Sequence, residues 1–151
     1  MSNDDIVDIL NDLIETSKDG EYGFRTSAEY LKAVDTRTLF ERRASDCRQA
    51  AAELQTIVQQ YGGSPEESGS ASAAMHRGWV AVKGTLSGYS DKAILEETER
   101  GEDVALESYR KALAENLPAD VRSVVERQYE GVKRNHTQVR QLRDRARAAS
   151  T

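Results

Sequence analysis

Cysteine occurs once in the 151 residues, at Cys47. A lone thiol excludes an internal disulfide and a cysteine-based zinc site, and a reducing compartment is the simple reading. Aromatic residues make up only 6% of the chain against 31% charged residues, which suits helices laced with surface ion pairs better than a sheet. No apolar run approaches the ~20 residues that a membrane-spanning helix needs. The N-terminus, Met1-Ser2-Asn3-Asp4-Asp5, is acidic and does not lead into an apolar run, so no secretory signal is read. Gly-rich phosphate loops, Walker-type motifs and Ser/His/Asp sets are missing as well, which leaves most enzyme classes without support. The net charge of −5 excludes a general polyanion binder. The expectation is a soluble, cytoplasmic protein with no membrane partner, forming one domain over residues 1–151.

What is present reads as helix throughout. Ser2 and Asp5 form a capping-box pattern, and Asp4, Asp5 and Asp8 favour a helix N-terminus. Ile6, Leu10, Leu13, Ser17, Gly20, Phe24, Ala28 and Leu31 then recur at helical spacing. The pattern predicts a first helix over about 3–33, a cap and tight turn at Asp35-Thr36, and a second helix over about 36–61 ending at Gly62-Gly63. Residues 62–69 are a loop by their Gly, Ser and Pro content. A short helix over about 71–86 follows, carrying Met75, Trp79 and Val82. Helices over about 91–116 and 118–147 complete the chain, separated by Leu117-Pro118.

The stretch from Lys18 to Tyr30 organises the rest. Gly20-Glu21 has an echo in Gly101-Glu102, with Gly23 and Val104 two positions after each Glu and Tyr30 and Tyr109 further on. A glycine inside a helix costs ~1 kcal/mol relative to alanine, so it marks close approach of another backbone. Gly20-Glu21 matches Gly101-Glu102 at an offset of 81, and Phe40-Glu41-Arg42-Arg43 matches Val125-Glu126-Arg127-Gln128 at an offset of 85. Each half is then a helical hairpin, and residues 62–90 are a long crossover with its own short helix. The predicted architecture is an all-α, up-down-down-up bundle. Counting from the two turns places Glu21, Cys47, Glu102 and Val132 in one layer.

This layout resembles the ferritin-like superfamily, and the Gly-Glu segments are similar to the first- and third-helix segments of rubrerythrin-type members. The chain is also similar to a bacterial family of uncharacterised ferritin-like four-helix-bundle domains. That similarity runs over about 5–145 and is carried by Asp19 to Phe24, Leu54 to Pro65, His76-Arg77-Gly78-Trp79, Arg100 to Asp103 and Lys133 to His136. It implies a ferritin-like four-helix bundle and no established activity. Ferritin-like dimetal sites take one Glu from each of two helices and a Glu-x-x-His from each of the other two. The spacing works because i and i+3 share a helix face. Glu21 and Glu102 match the single carboxylates. The Glu-x-x-His positions read Cys47-Arg48-Gln49-Ala50 and Val132-Lys133-Arg134-Asn135, so both pairs are lost. His136 lies one residue past Asn135, about 100° round the helix. No metal cofactor is therefore expected. An iron or other divalent site would have to draw on Glu21, Glu102, His76 and His136, with carboxylates such as Glu97 and Glu99 as substitutes.

A buried carboxylate must be neutral, hydrogen-bonded or paired. Arg43, Gln128 and Asn135 lie about one turn from the layer and are the expected partners in an internal polar network. His76 shares a face with Trp79 and reads as a packing histidine, with a metal ligand or acid/base role as the alternative. Trp79 reads as the anchor of the crossover. Cys47 reads as a core residue and not a nucleophile. The C-terminal stretch from Lys133 to Arg147 is basic but has no interleaved aromatic. It is expected to lie beside the acidic start of the first helix (Asp4, Asp5, Asp8, Asp12), not against nucleic acid.

The functional expectation is a structural or interaction protein without catalysis, with a role in stress physiology by analogy and self-association as a homodimer. The alternatives are a dimetal oxidase or ferroxidase with an atypical ligand set, and an anion or nucleic-acid binder using the basic end of the last helix.

Overall fold

The chain enters its first helix through a reciprocal pair of bonds. Asp5 N–H donates to Ser2 Oγ and Ser2 N–H to Asp5 Oδ2, each at 3.1 Å, which satisfies two of the donors a helix start leaves free. A computed structural model describes residues 1–66 and 90–149. The described residues form four helices: α1 (Asn3–Tyr30), α2 (Val34–Gln60), α3 (Asp91–Leu113) and α4 (Ala119–Ala149). None of the described residues is strand. The short helix expected over 71–86, with His76 and Trp79, lies outside the described residues. No helix among the described residues is long and apolar enough to cross a membrane.

The helix ends show which local signals the chain uses. Gly62, at φ 79°, stands in the left-handed region after α2, and Gly62 N–H and Gly63 N–H donate to Gln59 O and Val58 O, each at 3.0 Å. These bonds form a Schellman motif, and Gly62 occupies the position that glycine adopts at least cost. The α1–α2 turn departs from expectation. α1 stops at Tyr30, Leu31 is extended (φ −71°, ψ 137°), and α2 starts after Ala33 with no side-chain cap of its own. Asp35-Thr36 is not the cap. Asp91, at the start of α3, supplies it from the other hairpin by accepting Lys32 N–H and Ala33 N–H at 2.9 Å each.

Apolar residues at i, i+3, i+4 and i+7 give each helix one inward stripe. α1 packs along α2, α3 along α4, and α1 against α3, whereas α2 and α4 meet at few positions. One apolar cluster gathers Leu10 and Leu13 of α1, Leu54 and Val58 of α2, Leu106 of α3 and Val121 of α4. A second gathers Phe24, Phe40, Ile94 and Val139. Full burial of each Leu or Phe contributes about 1.5–3 kcal/mol relative to exposure. The first cluster holds the early part of α1 and α4 with the late part of α2 and α3. The bundle therefore runs up-down-down-up, and α4 ends where α1 ends. The basic end of α4 is thus at the opposite end of the bundle from Asp4, Asp5 and Asp8, contrary to the expectation. Its partners are on α3: Arg143 pairs with Glu99, and Arg147 Nε lies 3.1 Å from Glu96 Oε1.

Candidate functional site

A polar waist separates the two apolar clusters. The period that buries Leu13 and Phe24 on α1 also carries Ser17, Gly20 and Glu21 inward or nearly so. On α3 it carries Thr98 and Glu102 between Ile94 and Leu106. Glu102 is 2% exposed. Asn135 Nδ2 donates to its Oε2, and its Oε1 has no hydrogen-bond partner. Burial pushes the Glu102 carboxyl up to about 8, and the bond from Asn135 and the positive charge of Arg43 only partly oppose this. The group is consequently protonated at neutral pH.

Around Glu102 the waist is crowded with polar groups. A Cβ on Gly20 would stand 3.0 Å from Cys47 Sγ, so the glycine lets α2 approach α1. Burial raises the Cys47 thiol to about 11, and Glu102 and Glu21 both act on it electrostatically. These two carboxylates and Cys47 therefore share the layer that counting from the turns places them in. Tyr109 OH donates to Gln128 Oε1 at 2.8 Å and lies 3.4 Å from Ser17 Oγ. Gln128 Nε2 donates onward to Glu53 Oε1 at 2.8 Å. Glu21 turns to its own helix and bonds Arg25. The Arg43 guanidinium lies over the Phe24 ring, 5.8 Å from its centre, and Arg43 Nε is buried without a partner.

The sparse contact between α2 and α4 leaves a cavity of about 660 Å³ over this waist. Its floor includes Glu102, Tyr109 and Phe24, its inner wall carries Arg43, Cys47 and Asn135, and the exposed arginines Arg42, Arg127 and Arg134 stand on its rim. The size falls within the range of small-molecule pockets.

A second cluster lies on the outer seam between α3 and α4. Glu99 and Asp103, one turn apart on α3, face His136 of α4, and one ligand atom from each falls within 4.8 Å of the others. His136 Nε2 is 2.8 Å from Asp103 Oδ1. Glu99 also bonds Arg143. The residues singled out as metal ligands thus separate. Glu21 and Glu102 share the waist, His136 faces the seam as its 100° offset requires, and His76 is outside the described residues. Asn135 and Arg43 are the partners expected for Glu102, whereas Gln128 serves Tyr109 and Glu53. Asp103 was not anticipated, although its i, i+4 spacing from Glu99 was the readable signal. Asp19 was missed altogether: its Oδ2 is buried without a hydrogen-bond partner, and burial beside Glu15 pushes its carboxyl up to about 7.

Residues 5–115 match the family model described as "Domain of unknown function (DUF2383)". No curated protein matches the chain by sequence. Solved structures are similar in fold. A Dps1 point mutant from Mycobacterium smegmatis shares 16% identity at a TM-score of 0.74, over 93% of this chain and 96% of that one. The bacterioferritin-related protein from Bacteroides fragilis, described as a dodecameric thioferritin, shares 15% identity at a TM-score of 0.78, over 99% of this chain and 91% of that one. The fold is that of the ferritin-like four-helix bundles.

Proposed function

The chain belongs to the family described as "Domain of unknown function (DUF2383)", and on that premise we propose that it is a ferritin-like bundle without catalysis, a structural or interaction protein whose polar waist takes the place of a dimetal centre. The observation that carries the reading is Glu102, buried, bonded by Asn135 and accompanied by the Arg43 cation. The donor set of the waist does not fit two metal ions. Ferritin-like centres take six protein ligands from four helices, and here Cys47, Ala50, Val132 and Asn135 stand at the four Glu-x-x-His positions. Glu21 is engaged with Arg25. A guanidinium in the same interior opposes any further positive charge.

The test is anaerobic incubation of the protein with ferrous iron, desalting, and measurement of retained metal. The expected result is no stoichiometric iron at the waist. Two irons per chain, with absorbance that changes on admitting oxygen and is lost in Glu102→Ala, would overturn the proposal.

The convergence of Glu99, Asp103 and His136 favours a second reading, a single divalent cation on the outer seam. The cation would displace Arg143 from Glu99 and take one nitrogen and two carboxylate oxygens, a donor set suited to zinc or cobalt. Titration with Co²⁺ would then give visible absorbance saturating at one ion per chain and abolished by His136→Ala. Absorbance that survives this substitution rejects the seam as its source.

A further inference from the structure

Gln128 Nε2 donates to Ala50 O at 3.3 Å and fixes how α2 and α4 stand against each other. The two helices run in opposite directions. Arg42 lies eight residues before Ala50 and Arg134 six after Gln128, so the two arginines stand within about 3 Å of the same height. Both border the cavity, one from each wall, and both are exposed. Neither has an acid partner among the described residues, although Asp46 stands one turn beyond Arg42. Arg134 lies back along α4, with its Nη2 3.7 Å from where a Cβ on Gly131 would stand, and Gly131 is itself part of the lining. Two unpaired guanidinium groups therefore flank one opening, and an anion between them would relieve their repulsion.

The lining narrows the chemistry of that anion. Arg127 is paired with Glu53. Of the other charges, Arg42, Arg43 and Arg134 outnumber Asp46 and Glu102 even with both acids ionised, so the opening favours an anion over a cation. Each guanidinium presents five N–H donors in a planar fork, and a single fork already engages both oxygens of a carboxylate. Forks from opposite walls suit an anion with more charge and more acceptors, as a phosphate dianion has. Leu39, Ala50 and Ala105 are half-buried and border the same space. Leu39 and Ala50 belong to neither apolar cluster of the core. Their remaining accessible surface is apolar area for a guest to cover, and a cavity of about 660 Å³ has room for an organic body as well as the phosphate.

We propose that the cleft between α2 and α4 binds a small soluble phosphate monoester. Its phosphate is held between the Arg42 and Arg134 guanidinium groups at the mouth, and its organic body lies over Leu39, Ala50 and Ala105. Neither arginine stands at a Glu or His position of the Glu-x-x-His pattern, so the site is a function added to the bundle and not a remnant of a dimetal centre.

The experiment is calorimetric titration of the full chain at pH 7.5, where the ester is a dianion, with monohexyl phosphate, inorganic phosphate, sodium hexanoate and hexylamine. Proton–nitrogen NMR spectra follow the monohexyl phosphate titration. The ester is expected to saturate at one per chain and to bind at least tenfold more tightly than each of the other three, about 1.4 kcal/mol. Its shift changes should fall on α2 and α4 around Arg42 and Arg134. Arg42→Gln and Arg134→Gln, both at exposed positions, should each weaken it at least tenfold. Arg48→Gln, an exposed arginine of α2 outside the lining, should stay within threefold of the parent chain. Inorganic phosphate or hexanoate binding as tightly as the ester, an equal loss in Arg48→Gln, or shift changes away from the cleft would each overturn the proposal. So would sedimentation with vesicles of phosphatidic acid by a chain that does not take the soluble ester, since the arginines would then serve a lipid surface. The NMR map of the unsubstituted chain decides the matter even if a variant fails to fold.

Discussion

At the scale of the residue, Glu102 concentrates the chemistry of the waist. Its carboxyl ionises near 4.5 when solvated and is held at about 8 in the fold. Between those values the folded chain keeps a proton that the unfolded chain has lost. Stability therefore falls as pH rises from about 4.5 to about 8 and levels off above, by up to about 1.4 kcal/mol per pH unit. Arg43 and Asn135 oppose this shift, while Asp103 and Glu99 add to it. Glu102→Gln keeps the shape and removes the titration. Urea unfolding at pH 5 and pH 8 should show the parent chain losing a few kcal/mol more than the variant. Equal losses in the two proteins would mean that Glu102 is not held protonated. Asp19, pushed up to about 7, gives the variant a residual slope of the same sign. That a carboxylate would be buried at Glu102 was legible from the helical period and the neighbouring glycine. Asp19 was not legible, because Lys18-Asp19 reads as ordinary surface charge and only packing reveals which way the side chain turns.

At the scale of the element, helix ends written in adjacent residues were readable and ends completed from elsewhere in the chain were not. The Ser2–Asp5 box and the Gly62-Gly63 stop involve neighbours three to five residues apart, so their pattern is visible in the sequence. The α1–α2 turn is closed by Asp91, some 59 residues away, and no local rule points to it. Asp35 merely stands nearby. Asp91→Ala leaves two backbone N–H groups to water and should cost about 1 kcal/mol. Asp35→Ala should cost less, and chemical denaturation of the two variants distinguishes the caps. A larger loss for Asp35→Ala would restore the local reading. The basic end of α4 teaches the same lesson. Its charge was obvious, but whether Glu99 or Asp8 faces it depends on the direction in which α4 runs.

At the scale of the whole molecule, the order of helices and their shared layer followed from the repeat and from counting residues to each turn. The cavity did not, because a gap between α2 and α4 leaves no mark on either helix's own pattern. What the sequence does hold is one thiol, and it lies in the wall of that gap. Cys47 is consequently a built-in clock for the opening of the bundle. With the thiol held at about 11, thiolate is scarce at pH 7, and alkylation by iodoacetamide must wait for the helices to part. Mass spectrometry should find Cys47 alkylated at least a hundredfold more slowly in the native chain than in urea. Equal rates in the two states would mean that the waist is open to reagents. No substitution or attached dye is required, since evolution has left a single stopwatch at the position where timing the bundle is most informative.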